Sequence, residues 1–391
     1  MAILKRMGAM VNLATTQSVA AVPSLPTDKS AGNLELVALF EDAMPIGVAV
    51  SKQGRIFISY PRLVDDVEFT VAELKQPQEK NGNPVPYPNA EIHKLDLASP
   101  SEKLLCVQGM TIDARDRLWL LDHAKIKQNS VPSGGPKLVG IDLEGDRIVK
   151  KILFPESVAS ANSTLNDVRV DLRWGEDGIA FITDSSEEGP NGIVVVDLAT
   201  GNSWRKLNDH PSTKPIPGFL PIVEGQPMMV RHPNKPPKHI HTGSDGIALS
   251  GDGKRLFYCP LASRHLYSVS IEALVNQNLP DQEVAATVID HGEKGASGGM
   301  VSDAKNRLYV TNYENNSILR RLPDGTWETL AHDARMLWPN CLFVAQDDYL
   351  YFTVDQWNRN PSYHNGQDLR EKPYSLFRIR IDAGQVLLDR S

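Results

Sequence analysis

One hairpin recurs six times along the chain, and this repeat constrains the fold more tightly than any other feature. The copies are PIGVAVSKQGRIFISYP (45–61), VQGMTIDARDRLWLLDH (107–123), LNDVRVDLRWGEDGIAFITDS (165–185), SDGIALSGDGKRLFYCP (244–260), SGGMVSDAKNRLYVTNY (297–313) and PNCLFVAQDDYLYFTVD (339–355). Each reads as a short apolar strand, a polar turn with Gly, Asp or Asn, and a second strand of β-branched and aromatic residues. Successive copies start about 40 to 80 residues apart, room for two further strands such as GIVVVDLATGNSWRKL after the third copy. Six four-stranded units predict an all-β, six-bladed β-propeller, in which radial repetition hides strand edges around a central channel. A ring must close. LELVALFED (34–42) and YSLFRIRID (374–382) are both strand-like, so the N-terminal strand is expected to complete the last blade. Residues 31–391 then form a single propeller domain, and residues 1–30 a flexible N-terminal extension.

Charge narrows the partners. The net charge of -7 comes from 41 basic and 48 acidic side chains spread without blocks. A nucleic-acid or anionic-membrane footprint needs clustered Lys and Arg, so no nucleic acid is expected and a small-molecule substrate or ligand is. No run of 18 or more apolar residues predicts a transmembrane segment. The early Lys and Arg and the Ala-rich end of MAILKRMGAMVNLATTQSVAAVPSLP echo a secretory leader, but Asn12, Thr15, Thr16, Gln17 and Ser18 interrupt its apolar region. A cytoplasmic location is expected, with secretion the alternative; oligomeric state leaves no mark. Cys106, Cys259 and Cys341 sit in or beside apolar strand patterns and read as core thiols.

The register of the repeats locates a site. Aligned on the polar turn residue, the column five positions earlier holds Ile46, Gln108, Asn166, Asp245, Gly298 and Asn340. Two positions on, Val48, Met110, Val168, Ile247, Met300 and Leu342 form an apolar layer between blades. Four polar side chains in the first column would be costly in a dry core unless paired with one another, water, an ion or a ligand. They are therefore expected to converge at one mouth of the channel. The ends of the second strands bring Asp122 and His123, Asp184 and Ser185, Asn312 and Tyr313, and Asp355 with Trp357 to the same face. Asp and Asn there also cap turns, whereas Tyr313 and Trp357 offer rings on which a planar ligand could stack. The proline-rich passage from 206 to 245 is expected to form a lid carrying His210, Phe219, Glu224, Met228, Met229, His239 and His241.

GVAVSKQGRIFISYPR, LNDVRVDLRWGEDGIAFITDSS, GIVVVDLATGNSWRKL, DHPS (209–212), GSDGIALSGDGKRLFYCPLASRHLYSV and FTVDQWNRNPSYHNGQDLREKPYSLFRI together resemble the major royal jelly and yellow protein family over residues 35 to 382. The resemblance implies a six-bladed propeller. It also implies either small-ligand binding in the channel or a dopachrome-converting, tautomerase-like activity. A more distant, fold-level resemblance is to gluconolactonase-type propellers. Carried over by position, their metal-binding Glu falls on Ile46, two Asn positions on Asn166 and Asp245, and their catalytic Asp on Gly298. Both acidic positions are thus filled by non-ligands.

These readings predict an enzyme of the isomerase, dehydratase or cyclase type acting on an aromatic or quinone-like metabolite. Asp245, or His123 or His241 from the rim, would move a proton. Gln108, Asn166 and Asn340, with Asp184 and Asn312, would hold the substrate's polar groups, and Tyr313 and Trp357 would stack on it. No cofactor is expected. If a divalent cation such as Ca²⁺ is used, Asp245, Asn166 and Asn340 are its expected ligands. The alternatives are a binding protein without catalysis and a Ca²⁺-dependent lactone hydrolase.

Overall fold

The computed structural model describes residues 28–127 and 129–390, so the leader-like segment lies outside the described residues, as does nearly all of the expected 1–30 extension. Among the described residues are six four-stranded antiparallel sheets, one for each hairpin copy. Their innermost strands are Val48–Val50, Val107–Ile112, Leu165–Asp171, Ser244–Leu249, Met300–Ser302 and Pro339–Val344. The sheets follow the chain outward, strand by strand, in five blades. The sixth takes its outermost strand from the other end of the chain: Glu35–Phe40 pairs antiparallel with Tyr374–Arg380, as the sequence implies.

The hairpin turns explain why the copies look alike. In the second blade Asp113 accepts the backbone N–H groups of Arg115 and Arg117, the Arg117 Nε at 2.8 Å and the Trp119 Nε1 at 2.8 Å. In the fifth, Asp303 does the same with Lys305, Arg307 and the Tyr309 hydroxyl. An acidic side chain folded back on its own turn fixes the hairpin and is itself fully satisfied. The apolar layer two positions beyond the polar column is buried throughout, with no member more than 2% exposed.

Two features close the ring's faces. On one, residues 383–390 run across the far mouth of the channel. Leu388 accepts from the Leu172 N–H, Gly384 from the Ala304 N–H, and the Gln385 amide donates to the Ile112 carbonyl at 2.7 Å. Gln385, Val386 and Leu388 face Arg169, Val301 and Phe343 there, so the tail stoppers the channel from below. On the opposite face the 206–245 passage covers the mouth as expected. Phe219, Met228 and Ile240 pack with Tyr313, Trp338 and Tyr363 in one apolar cluster, and Glu224 bridges to Arg359 at 2.6 Å. Among the described residues no helix is long and apolar enough to cross a membrane. Cys106 and Cys259 are buried free thiols; Cys341 is free but only half-buried, at the start of the sixth inner strand.

Candidate functional site

A cleft at the lid-side mouth gathers the polar column. Ile46, Gln108, Asn166, Asp245 and Asn340 line it together. The sixth member, Gly298, sits between two of them: a methyl group built on it would lie 3.4 Å from Asp245 Oδ1 and 3.8 Å from Asn340 Oδ1. The column faces the channel because the pairing register slips at this point in four blades, between Val107 and Met110, Leu165 and Val168, Ser244 and Gly246, and Pro339 and Leu342. Each slip is a β-bulge, which re-aims a side chain where plain alternation would put it in the wall. The residue after the column is Gly47, Gly109, Gly246 or Gly299 in four copies because the next blade's backbone lies against it. A Cβ on Gly47 would sit 2.5 Å from the Gln108 carbonyl oxygen, and one on Gly299 only 1.8 Å from that of Asn340. Hydroxyls of the second strands close the same seams: Ser59 donates to the Gln108 carbonyl, Thr183 to that of Asp245 and Thr353 to that of Ile46.

Within the cleft the amides are oriented by one another. The Gln108 amide donates to Asn166 Oδ1, and the Asn166 amide donates in turn to Asp245. Burial drives the Asp245 carboxyl well above the usual carboxylate range. The neighbouring Asp167 adds to the rise, and the Asn166 hydrogen bond and the buried Lys294 ammonium oppose it. Asp167 is itself held by Arg169 at 2.9 Å, and Arg169 reaches across to the Met300 carbonyl at 2.6 Å, which floors the cleft. On the other side Asn340 turns its amide nitrogen to Asp355 Oδ2 at 2.5 Å, leaving Oδ1 toward the space over Gly298. Asp355 is fully buried, accepts the Trp357 N–H and has no ion-pair partner among the described residues; burial pushes it up to about 7. Trp357 lines the cleft and donates its indole N–H to the Tyr363 hydroxyl at 3.0 Å. That bond leaves the phenolic proton of Tyr363, also a lining residue, for a ligand.

The remaining expected site residues lie elsewhere. Tyr313 stacks on Trp338, ring centroids 4.1 Å apart, and donates its hydroxyl to the Leu261 carbonyl; Trp338 and Leu261 are the residues that reach the cleft. Asp184 is spent on the Thr164 N–H, Ser186 and Arg205 at 2.8 Å, behind the wall. Asn312 accepts from Asn315 in the turn that follows its strand. His123 is buried away from the lining, its Nδ1 accepting the Lys125 N–H, and burial lowers it to about 4. His241 is exposed on the rim and donates Nδ1–H to the Glu187 carbonyl at 3.0 Å. Leu63, Thr164, Ser185, Glu187, Thr242 and Tyr363 complete the lining. Ser185, like Leu261, follows directly from a second-strand end, whereas Tyr363 arrives on a loop with no repeat to announce it.

The donor set does not suit a divalent cation. Asn166 gives its oxygen to Gln108 and points its amide hydrogens at Asp245, so the column's remaining side-chain oxygens are those of Asp245, Asn340 Oδ1 and the unpartnered Gln108 Oε1, and Gly298 and Ile46 supply none. Ca²⁺ takes six to eight oxygens, more than this column offers.

A family profile described as "Major royal jelly protein" matches residues 105–381. Dopaminechrome tautomerase of Drosophila melanogaster is 25% identical over 301 residues, covering 73% of this chain and 60% of the relative. L-dopachrome tautomerase yellow-f of the same organism is 24% identical, covering 62% of this chain and 54% of the relative. Major royal jelly protein 1 of Apis mellifera is 28% identical over 49% of this chain and 42% of its own length. The chain thus spans 60% or less of these curated relatives. Among solved structures, a gluconolactonase from Xanthomonas campestris superposes with a TM-score of 0.53 at 12% identity, covering 92% of this chain and 99% of that one; this likeness shows the fold alone. The chain belongs to the major royal jelly protein family.

Proposed function

We propose that the cleft binds a planar, oxygenated aromatic or quinone-like small molecule and isomerises it by proton transfer, as an aminochrome tautomerase would. The observation that carries this reading is Asp245, a buried carboxyl with a raised proton affinity, facing open space beside Asn340 Oδ1. Two oxygens bordering that space accept hydrogen bonds, so it suits a ring N–H or O–H of the ligand. In an aminochrome, isomerisation removes a proton from a ring carbon and returns one to a quinone oxygen. Asp245 in its ionised form takes the first and releases it to solvent, from which the quinone oxygen takes its proton; the Tyr363 phenol, held by Trp357, donates a hydrogen bond to that oxygen while charge develops there. The chain's own residues suffice for this chemistry, and no cofactor enters it. The two tautomerases among the relatives support the reaction class.

The test is the loss of visible absorbance of dopaminechrome and of L-dopachrome with and without purified protein. A protein-dependent acceleration of either supports the proposal; decay at the spontaneous rate for both overturns it. The second reading, a binding protein without catalysis, draws on the neutrality of the column, in which Asp245 alone carries a titratable side chain. It predicts a ligand recovered chemically unchanged.

A further inference from the structure

We propose that Lys125 forms a carboxylate subsite at the rim of the cleft and selects ligands bearing an acid group beside the ring. The inference rests on the functional reading above for its substrate class. Lys125 is half-buried, and its ammonium donates to the Thr164 hydroxyl at 3.2 Å. Thr164 lines the cleft with Asn166 and Asp245. Among the described residues no carboxylate lies within ion-pair distance of Lys125, although the other half-buried lysines are held by a carboxylate or a carbonyl: Lys103 by Glu91, Lys150 by the Ala199 carbonyl and Lys214 by Asp209. Lys125 also borders a polar groove that opens off the cleft, with Trp357, Tyr363 and Glu187 shared between the two. A ring stacked at Trp357 therefore projects its substituent toward this ammonium. The charges that face it in the groove are Glu187, Glu188 and His232, all exposed. Water and salt screen exposed groups far more than a half-buried one, so the cation dominates where the substituent sits. Of the two aminochromes, dopachrome carries a carboxylate on its five-membered ring and dopaminechrome carries none.

The test is calorimetric titration of the full chain with indole-2-carboxylate and with indole, stable rings that differ only in the acid group. Wild type is expected to bind the carboxylate about tenfold more tightly, the scale of one charge-assisted hydrogen bond. Lys125→Met should abolish the difference while leaving indole unchanged, and Lys125→Arg should restore it. Equal binding of the two ligands by wild type, binding of neither, or a preference that survives Lys125→Met overturns the subsite. A preference that depends on Lys125 in a protein that isomerises neither aminochrome would sink the catalytic reading and leave the subsite standing.

Discussion

Gly298 and Gly299 are adjacent, yet their alanine variants should behave in opposite ways. A methyl on Gly298 meets Leu261 Cδ1 at 3.2 Å, Asp245 Oδ1 at 3.4 Å and Asn340 Oδ1 at 3.8 Å. Only the end of a leucine side chain must give, by a few tenths of an ångström. Replacing Gly by Ala where the backbone allows it restricts the unfolded chain and stabilises by about 0.4–1 kcal/mol, so Gly298→Ala should stay within about 1 kcal/mol of wild type. The methyl nevertheless fills the space between the two oxygens, and ligand binding should be lost. A methyl on Gly299 meets the Asn340 carbonyl oxygen at 1.8 Å, and that oxygen must retreat to 3.0 Å or more. The obstacle is backbone, in a seam where Thr311 also bonds both the N–H and the carbonyl of Gly299. Overpacking of this kind costs about 1–3 kcal/mol and more where backbone must move, so Gly299→Ala should lose about 3 kcal/mol or fail to fold. Urea unfolding followed by tryptophan fluorescence, with calorimetric binding alongside, reads both outcomes. If Gly299→Ala proved as stable as Gly298→Ala, the argument that the glycines mark backbone contact between blades would be wrong.

Two further predictions concern stability. Asp355 holds its proton up to about pH 7 in the folded state, well above an unfolded carboxyl, so the folded chain binds more protons in that window. Its contribution is intact below the unfolded pKa and is lost as the pH rises through about 7; wild type should therefore lose ground to Asp355→Asn between about pH 4 and pH 7, by up to about 1.4 kcal/mol per unit. A stability difference that stays constant with pH would refute the assignment. At the far mouth, Leu388→Asp should cost about 2–3 kcal/mol by putting a charge where a buried leucine stoppers the channel, while ligand affinity at the opposite face is unchanged. Coupled loss of both would show that the two mouths are not independent.

The ring was legible because each hairpin carries its own turn chemistry. Asp113 with Arg117 and Trp119, and Asp303 with Arg307 and Tyr309, repeat one local solution that a reader of the sequence meets as a motif. The polar column was legible for the same reason, since its spacing from the turn is fixed within each strand. What aims it at the channel is a bulge. The visible trace of that bulge is the glycine after the column, whose cause is contact with a neighbouring blade that no single repeat reveals. The aromatic wall was misassigned between partners: Tyr313 and Trp338 lie against each other, and only their packing shows that the tryptophan faces the cleft. His123 and Asp184 end their strands at the right level, but burial and the Arg205 pair turn them into the wall. Tyr363 and the 383–390 stopper come from irregular segments, where neither period nor repeat gives a register.

In the proposed reaction the Asp245 carboxyl is the group that moves the proton. Aminochrome turnover by wild type and by Asp245→Asn, measured beside the affinity of each for a stable indole ligand, isolates that role. The variant should fold, bind the ligand with near wild-type affinity and fail to accelerate isomerisation. Turnover by Asp245→Asn at the wild-type rate would contradict it.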